Sequence, residues 1–351
     1  MNTQVEVVAV GARTPVGFTA ESSAAAVRAG ISRYAEYPFV DPCGEPIVVA
    51  ADRLLDPGIE GRDRLVPMAE SAFEQVVAKL GQGSAHEDRL RVLLALPETR
   101  PGFSEDDAAW VANTLMARFR AKTSSVRVEI AGRGHAGAIR AVEQAVRECS
   151  KSRDQVFLVA GVDSYHHSNT FDWLERSRRF AQPGIRGGFT PGEGAGCLAL
   201  ASAGVRSRLR LQRLAIVRGA CTAQERLLRD SDTGSFGIGM TQAVKGAVAE
   251  LDVPREGIDF LYTDINGERY RSEEWGFVAL RTPTVWKSPA YKAPSDCWGD
   301  VGAAFGALGG ILAVQAFVRG YARGPRALVM AGSDGGLRGA MLLQDPRVSM
   351  E

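Results

Sequence analysis

The chain is 351 residues long and 45% hydrophobic, enough to bury one large core or two fused ones, which excludes a small stapled scaffold. Its 42 lysines and arginines balance 41 aspartates and glutamates, leaving no global field to gather nucleic acid or an anionic membrane surface. The five cysteines (Cys43, Cys149, Cys197, Cys221, Cys297) are odd in number, far apart and never in a C-x-x-C pair. Neither a disulfide framework nor a zinc site is indicated, and they read as reduced thiols of a cytoplasmic protein.

The opening stretch, MNTQVEVVAVGARTPVG, passes directly into a strand pattern without the basic region or cleavage site of an export signal. Helical patterns follow near Glu21–Gly30 and Asp63–Leu80, then the strand RVLLAL, a helix near Glu105–Phe119, the strand VRVEIA, a helix from about His135 to Glu148, and the strands VFLVAG and CLALA. After Gly204 the alternation restarts: LRLQRLAIV, a helix near Thr241–Leu251, IDFLYTD, a helix near Tyr270–Leu280, the uncharged run Val301–Val318, then RALVMAG and GAMLLQ. This order predicts an α/β fold with a largely parallel sheet. The uncharged run nearly reaches spanning length, but it is rich in Gly and Ala, holds Gln315 and lacks an aromatic belt, so a buried central helix is expected and no membrane partner.

The chain looks duplicated. VFLVAGVDS and RALVMAGSD end two similar stretches, with Gly161 and Gly332 separated by 332 − 161 = 171 residues, and each is followed by a last apolar strand. The halves are taken as residues 1–204 and 205–351, sharing one compact unit because no low-complexity linker divides them.

The stretch VEIAGRGHAG, Val128 to Gly137, admits two readings. Gly132, Gly134 and Gly137 satisfy G-x-G-x-x-G between a strand and a helix, a dinucleotide loop for which Asp163 is the available acidic residue. The other reading is a nucleophile turn. The duplicated α/β pattern, AVGARTPVGFTAESSAAAVRAG near the start, PGEGAG before CLALA, and IDFLYTD together resemble the thiolase-like condensing enzymes, most closely the β-ketoacyl-ACP synthases. That resemblance implies a thiolase-like fold of two βαβαβαββ halves in a five-layered αβαβα arrangement, a homodimer, and no cofactor.

In that family a cysteine stands three residues before a glycine at the head of a buried helix, where the helix dipole favours thiolate. With Gly134 as that glycine, the position is Ala131, and no cysteine lies between Cys43 and Cys149 to rescue the alignment. The family's two histidines fall on Asp264 and on Asp300 or Gly299, while all four histidines of this chain (His86, His135, His166, His167) lie in the first half. Asp334 takes the place of the gating phenylalanine, and Leu337-Arg338 stand where Thr-Asn is usual. A Claisen condensation needs a thiolate to accept the acyl group, so the resemblance implies a catalytically degenerate ketosynthase-like protein.

The expected pocket comprises Ala131, Gly134, Asp264, Asn266, Cys297, Asp300, Asp334 and Arg338. Its aspartates either form an acidic pocket for a cation, an amine or a basic side chain, or pair locally with Arg269, Arg271 or Arg338 or cap helices. Cys297 is a possible relocated nucleophile for an acyltransferase or thioester hydrolase, assisted by Asp264 or Asp300 and approached by His135; otherwise it is an inert packed thiol. Glu193 in PGEGAG is expected to be structural, His166 and His167 to lie in a surface loop with no metal, and the runs Arg176–Phe180 and Val205–Arg213 to be solvated faces or docking sites for an acidic partner. As a binder, the chain's partner would be an acyl carrier protein, an active synthase or, as for degenerate thiolase-like proteins encoded beside type VI secretion effectors, a secreted effector.

Overall fold

The computed structural model describes residues 4–40, 44–81, 90–123, 126–151, 154–182 and 184–348; Cys43 and His86 lie outside the described residues. The first half runs β1 (Val5–Arg13), α1 (Ala20–Ala29), β2 (Ala35–Val40), β3 (Pro46–Val49), α2 (Arg62–Leu80), β4 (Leu90–Leu96), α3 (Glu105–Arg120), β5 (Val126–Arg133), α4 (Gly137–Cys149), β6 (Val156–Ser164), α5 (Ser168–Arg176) and β7 (Glu193–Ser202). After the short helix α6 (Ala203–Arg208), the second half runs β8 (Ala215–Gln224), α7 (Ile238–Ala247), β9 (Phe260–Thr263), α8 (Arg269–Arg281), β10 (Tyr291–Lys292), α9 (Ser295–Trp298), a 3-10 turn at Gly302–Ala304, α10 (Phe305–Val318), β11 (Arg326–Gly332) and β12 (Leu337–Gln344).

Strand order establishes the duplication. One half is ordered β5-β4-β6-β7-β1 and the other β10-β9-β11-β12-β8, the same permutation twice, and a short β1–β8 ladder joins them into one sheet of ten strands. The expected largely parallel sheet is corrected: β4–β5, β4–β6, β9–β10 and β9–β11 are parallel, whereas β6–β7, β1–β7, β1–β8, β11–β12 and β8–β12 are antiparallel. Each half closes with a strand that returns antiparallel beside its predecessor, through a short turn from β11 to β12 and through the longer α5 segment from β6 to β7.

Strand side chains alternate between two apolar layers, as a period of two requires. Leu93, Phe157, Val159 and Leu198 face the central layer of α4 and α10; Val92, Leu94, Leu158 and Cys197 face α2 and α3 on one outer side. In the second half Ala327 and Val329 face the centre, and Leu328 and Met330 face α7 and α8 on the other outer side. The result is a five-layered αβαβα stack.

The uncharged run supplies the central helix. Every residue of α10 from Phe305 to Phe317 is buried, and no helix among the described residues is long and apolar enough to cross a membrane. Its small residues allow close approach: a Cβ on Gly306 would stand 3.1 Å from Ala138 and Ile139 of α4, and one on Gly161 of β6 only 2.5 Å from the Ala303 carbonyl oxygen. One strand expectation needs shortening, since LRLQR does not join AIV in β8; Arg210 adopts φ +53° and turns the chain first.

Gly161→Ala should therefore lower stability by about 1–3 kcal/mol through overpacking, read as a reduced denaturant midpoint at unchanged m-value.

Candidate functional site

The strand-to-helix turn fixes one wall of the site. β5 ends at Arg133, Gly134 takes the left-handed conformation at φ +68°, and α4 starts at Gly137. Gly132 and Gly137 face each other so closely that a Cβ on Gly132 would lie 2.3 Å from the Gly137 carbonyl oxygen. The glycines are thus explained by the turn itself. Three of its amides are already bonded: Gly134 N–H to Leu96 O, Ala136 N–H to Ser333 Oγ and Gly137 N–H to Gly134 O. Asp163 is buried and paired with Arg100 at 2.6 Å, while accepting the Ala303 amide. Neither a phosphate cradle nor a free ribose-binding acid is present, which corrects the dinucleotide reading.

Beside the turn lies a cavity of about 190 Å³ lined by Gly134, His135, Arg100, Tyr165, Asp334 and Glu98 among others. Ala131 does not line it. This residue lies within β5, half-buried against the central core, and the turn presents Gly134 and His135 to the cavity instead.

Charges fill the space behind. His135, at the head of α4, places Nε2 2.8 Å from Asp300 Oδ1 and 3.0 Å from Oδ2. Both oxygens only accept, so Nε2 carries a proton. Asp300 also accepts from Asn266 Nδ2 at 2.5 Å, Tyr165 Oη at 3.2 Å and the Gly302 amide at 2.8 Å. Burial disfavours its charge, but His135, Arg271 and these donors outweigh it and hold the carboxyl far below the usual range. Burial likewise disfavours the His135 cation, and Asp300 outweighs it, so the imidazole pKa is raised.

Asp264, following β9, is bound by Arg271 Nη1 at 2.5 Å and by the Gly332 amide at 2.8 Å. Here burial wins, and the pKa is raised against the pull of Arg271. Arg271 also contacts Glu268 at 3.3 Å and the Gly332 carbonyl at 2.7 Å, and lies 3.4 Å from His135 Nε2. Asp334 receives Arg179 at 2.7 Å and Tyr270 Oη at 3.2 Å. Arg179 continues to Glu268 at 2.7 Å, and Asn266 bridges Glu268 and Asp300.

The structure therefore brings Gly134, His135, Asp264, Asn266, Asp300 and Asp334 together and leaves three expected members out. Besides Ala131, Arg338 is excluded: it turns away to form a buried bidentate pair with Glu274 at 2.7 and 2.8 Å. Cys297 is also excluded. It is 1% exposed in the core, burial raises its thiol pKa, and the charges acting on it are Lys292 and Asp296 rather than Asp264 or Asp300. Of the two alternatives at the second histidine position, Asp300 faces the network, whereas Gly299, φ +73°, packs against Thr190 and Gly192. The aspartates do pair locally, Asp264 with Arg271 as one alternative held; Arg269 pairs with Glu273 instead.

Several residues were missed. Arg179 belongs to a run expected to be solvated, yet it is 3% exposed and Phe180 is 1% exposed. Arg178 adopts φ +53° after α5 and the Arg179 amide bonds back to Leu174 O, so the helix ends in a left-handed turn that sends Arg179 inward. His166 is likewise no surface residue: it is fully buried with Nδ1 3.1 Å from Ser164 Oγ, while His167 caps α5. Its neighbour Glu193 is clamped by Arg64 at 2.7 Å through both oxygens, by Ser164 and by the Asp52 amide. Burial works against ionisation of Glu193, but His166, Arg64 and these donors hold its pKa at about 2. His166 itself is pushed down to about 4 by burial, so at neutral pH Arg64 carries the compensating charge. No group of three or more metal-ligating side chains is assembled among the described residues.

No protein-family model matches the chain, and no curated protein matches it in sequence. Solved structures do. A chain from the complex of a type II polyketide synthase acyl-carrier protein with its ketosynthase bound to the hexaketide superposes with TM-score 0.78 at 13% identity, covering 98% of this chain and all of that one. The module 6 ketosynthase of the Bacillus subtilis 168 bacillaene synthase gives 0.77 at 14%, covering 98% and 72%; the ishigamide ketosynthase/chain length factor gives 0.71 at 20%, covering 97% and 99%. The fold is thiolase-like and of ketosynthase type.

Two outcomes follow from this geometry. Because Glu193 ionises near pH 2 when folded against about 4.3 unfolded, its stabilisation is present above about pH 4.3 and is lost as pH falls through about 2. Glu193→Gln should cost about 3–5 kcal/mol at neutral pH by stranding Arg64 and flatten that acid limb in a pH series of denaturant melts. Iodoacetamide should modify half-buried Cys221 before Cys297, as read by peptide mass mapping; faster labelling of Cys297 would restore it as a nucleophile candidate.

Proposed function

We propose that this is a ketosynthase-fold protein without condensing activity that works by binding another protein. The observation that carries the reading is the turn from Ala131 to Gly137, which contains neither thiol nor hydroxyl. If Gly137, at the first turn of α4, is the family's helix-head glycine, the three-residue spacing assigns the nucleophile position to Gly134, the left-handed residue facing the cavity. Neither Gly134 nor Ala131 can accept an acyl group. At the two histidine positions the carboxylates of Asp264 and Asp300 have the wrong sign to stabilise an oxyanion, and Arg271 and His135 hold them in place.

A binding role also fits the surface. β5 forms one edge of the ten-strand sheet, and its side chains at Arg127, Glu129 and Ile130 are exposed. An unpaired edge of this length is a template for strand addition. It supports pairing with a second copy or with an active synthase subunit, and two of the similar solved structures are described as a ketosynthase with its acyl-carrier protein and a ketosynthase/chain length factor. An acyl carrier protein or a secreted effector would be a partner of the same functional class, and none of these roles calls for a cofactor.

Two measurements test the proposal. Intact-protein mass spectrometry after incubation with acetyl-, octanoyl- and malonyl-CoA should show no adduct on the wild type, and an acyl adduct would overturn the loss of condensing activity. Light scattering should show a dimer, alone or with a synthase subunit, that Ile130→Glu converts to monomers; a dimer unaffected by that change would remove β5 as the interface.

A further inference from the structure

A second cavity lies at the opposite end of α10 from the charge network. The helix spans 14 residues, about 20 Å; the network lies before its N-terminal end, and the cleft draws on its C-terminal half, Leu312 and Ala316. This cleft, of about 310 Å³, is bounded by the C-terminal ends of α1 and α10 and by β9 and β10. That volume accommodates about ten water-sized groups. Its floor is apolar, from Val27, Phe260, Leu261 and Leu312, and its rim carries Arg28, Lys292 and Arg323.

The rim lacks compensating charge. No aspartate or glutamate lines the cleft, and among the described residues none of these three cations forms an ion pair; Arg28 instead lies over the Tyr321 ring at 4.3 Å from its centroid. Helix dipoles account for a cation at the end of α1, but not for Lys292 on β10. Tyr262 supplies an independent indication. The residue is only 8% exposed, yet its hydroxyl is not enclosed: it opens into the cleft with no protein hydrogen-bond partner among the described residues, free to donate to a ligand there. Burial keeps this phenol protonated, hence a donor, and the neighbouring groups that act on it are Tyr321 and Arg323.

We infer that this cleft binds an amphipathic anion, an apolar body of several carbons ending in a carboxylate or phosphate, with the head group held by Tyr262, Lys292 and Arg323 and the body on the apolar floor. Three cations and the Tyr262 hydroxyl line the cleft and no carboxylate does, so its side-chain charge selects a negative ligand. The depth and apolar floor distinguish the ligand from a free inorganic anion. The inference is independent of the binding role proposed above and concerns a different face of the fold.

Isothermal titration calorimetry on the full chain tests it with three probes below their micellar concentrations: octanoate, octyl phosphate and octylamine. Binding of either anion but not of the amine is expected, and comparison of the two identifies the head group. Lys292→Gln and Arg323→Gln should each weaken binding about tenfold, as should Tyr262→Phe by a smaller factor; the two charged residues are at the surface, so their variants retain the fold. Equal binding of the amine, affinity unchanged in the charge variants, or no heat from either anion would overturn the assignment.

Discussion

The buried guanidinium of Arg271 is the constraint on which the site depends. It is 4% exposed, and burying an unpaired charge of this kind would cost several kcal/mol. Two carboxylates, Asp264 and Glu268, and the Gly332 carbonyl surround it, and the neighbouring Asp300 and Asp334 act on His135 and Arg179 in turn. Among the described residues Asp264 has Arg271 as its one guanidinium partner, whereas Glu268 and Asp334 also share Arg179. The space behind the α4 turn is therefore occupied by interdependent charges.

The same network ties the two halves together. His135 and Arg179 come from the first half, whereas Asp300, Glu268 and Asp334 come from the second. Ser333, beside Asp334, accepts the Ala136 amide at the head of α4, and Glu98 after β4 accepts the amides of Asp334 and Gly335. These contacts gather at the ends of β4, β5, β9 and β11, where loops of both halves meet. Below them the apolar helices α4 and α10 pack against strands of both halves, so the polar cluster caps a shared core.

Much of this was legible in the sequence. The duplicated endings at Gly161 and Gly332 foretell the repeated strand order, and the small-residue run ending at Val318 foretells the central helix, because both are period and composition signals. Asp264, Asp300 and Asp334 were legible as a group through the resemblance. What escaped depends on local backbone turns and distant pairing. The left-handed conformation at Arg178 brings Arg179 inward, and no spacing rule reveals this for an arginine in a basic run. His166 seemed a loop residue until Ser164 and Glu193 enclosed it, and Cys297 seemed close to Asp300 because sequence adjacency says little about which way a side chain leaves a four-residue helix. Around the turn, Gly132, Gly134 and Gly137 all suit a glycine-spaced pattern, and only the positive φ of Gly134 shows where the chain bends.

The measurement that bears most directly on this account is equilibrium unfolding of Arg271→Met at neutral pH. If the guanidinium is the paired centre of this buried charge network, the substitution leaves Asp264 without its guanidinium, takes one of several partners from Glu268, and should cost about 3–5 kcal/mol. A loss below about 1 kcal/mol would mean that solvent reaches these carboxylates and that Arg271 is not the buried constraint on the site.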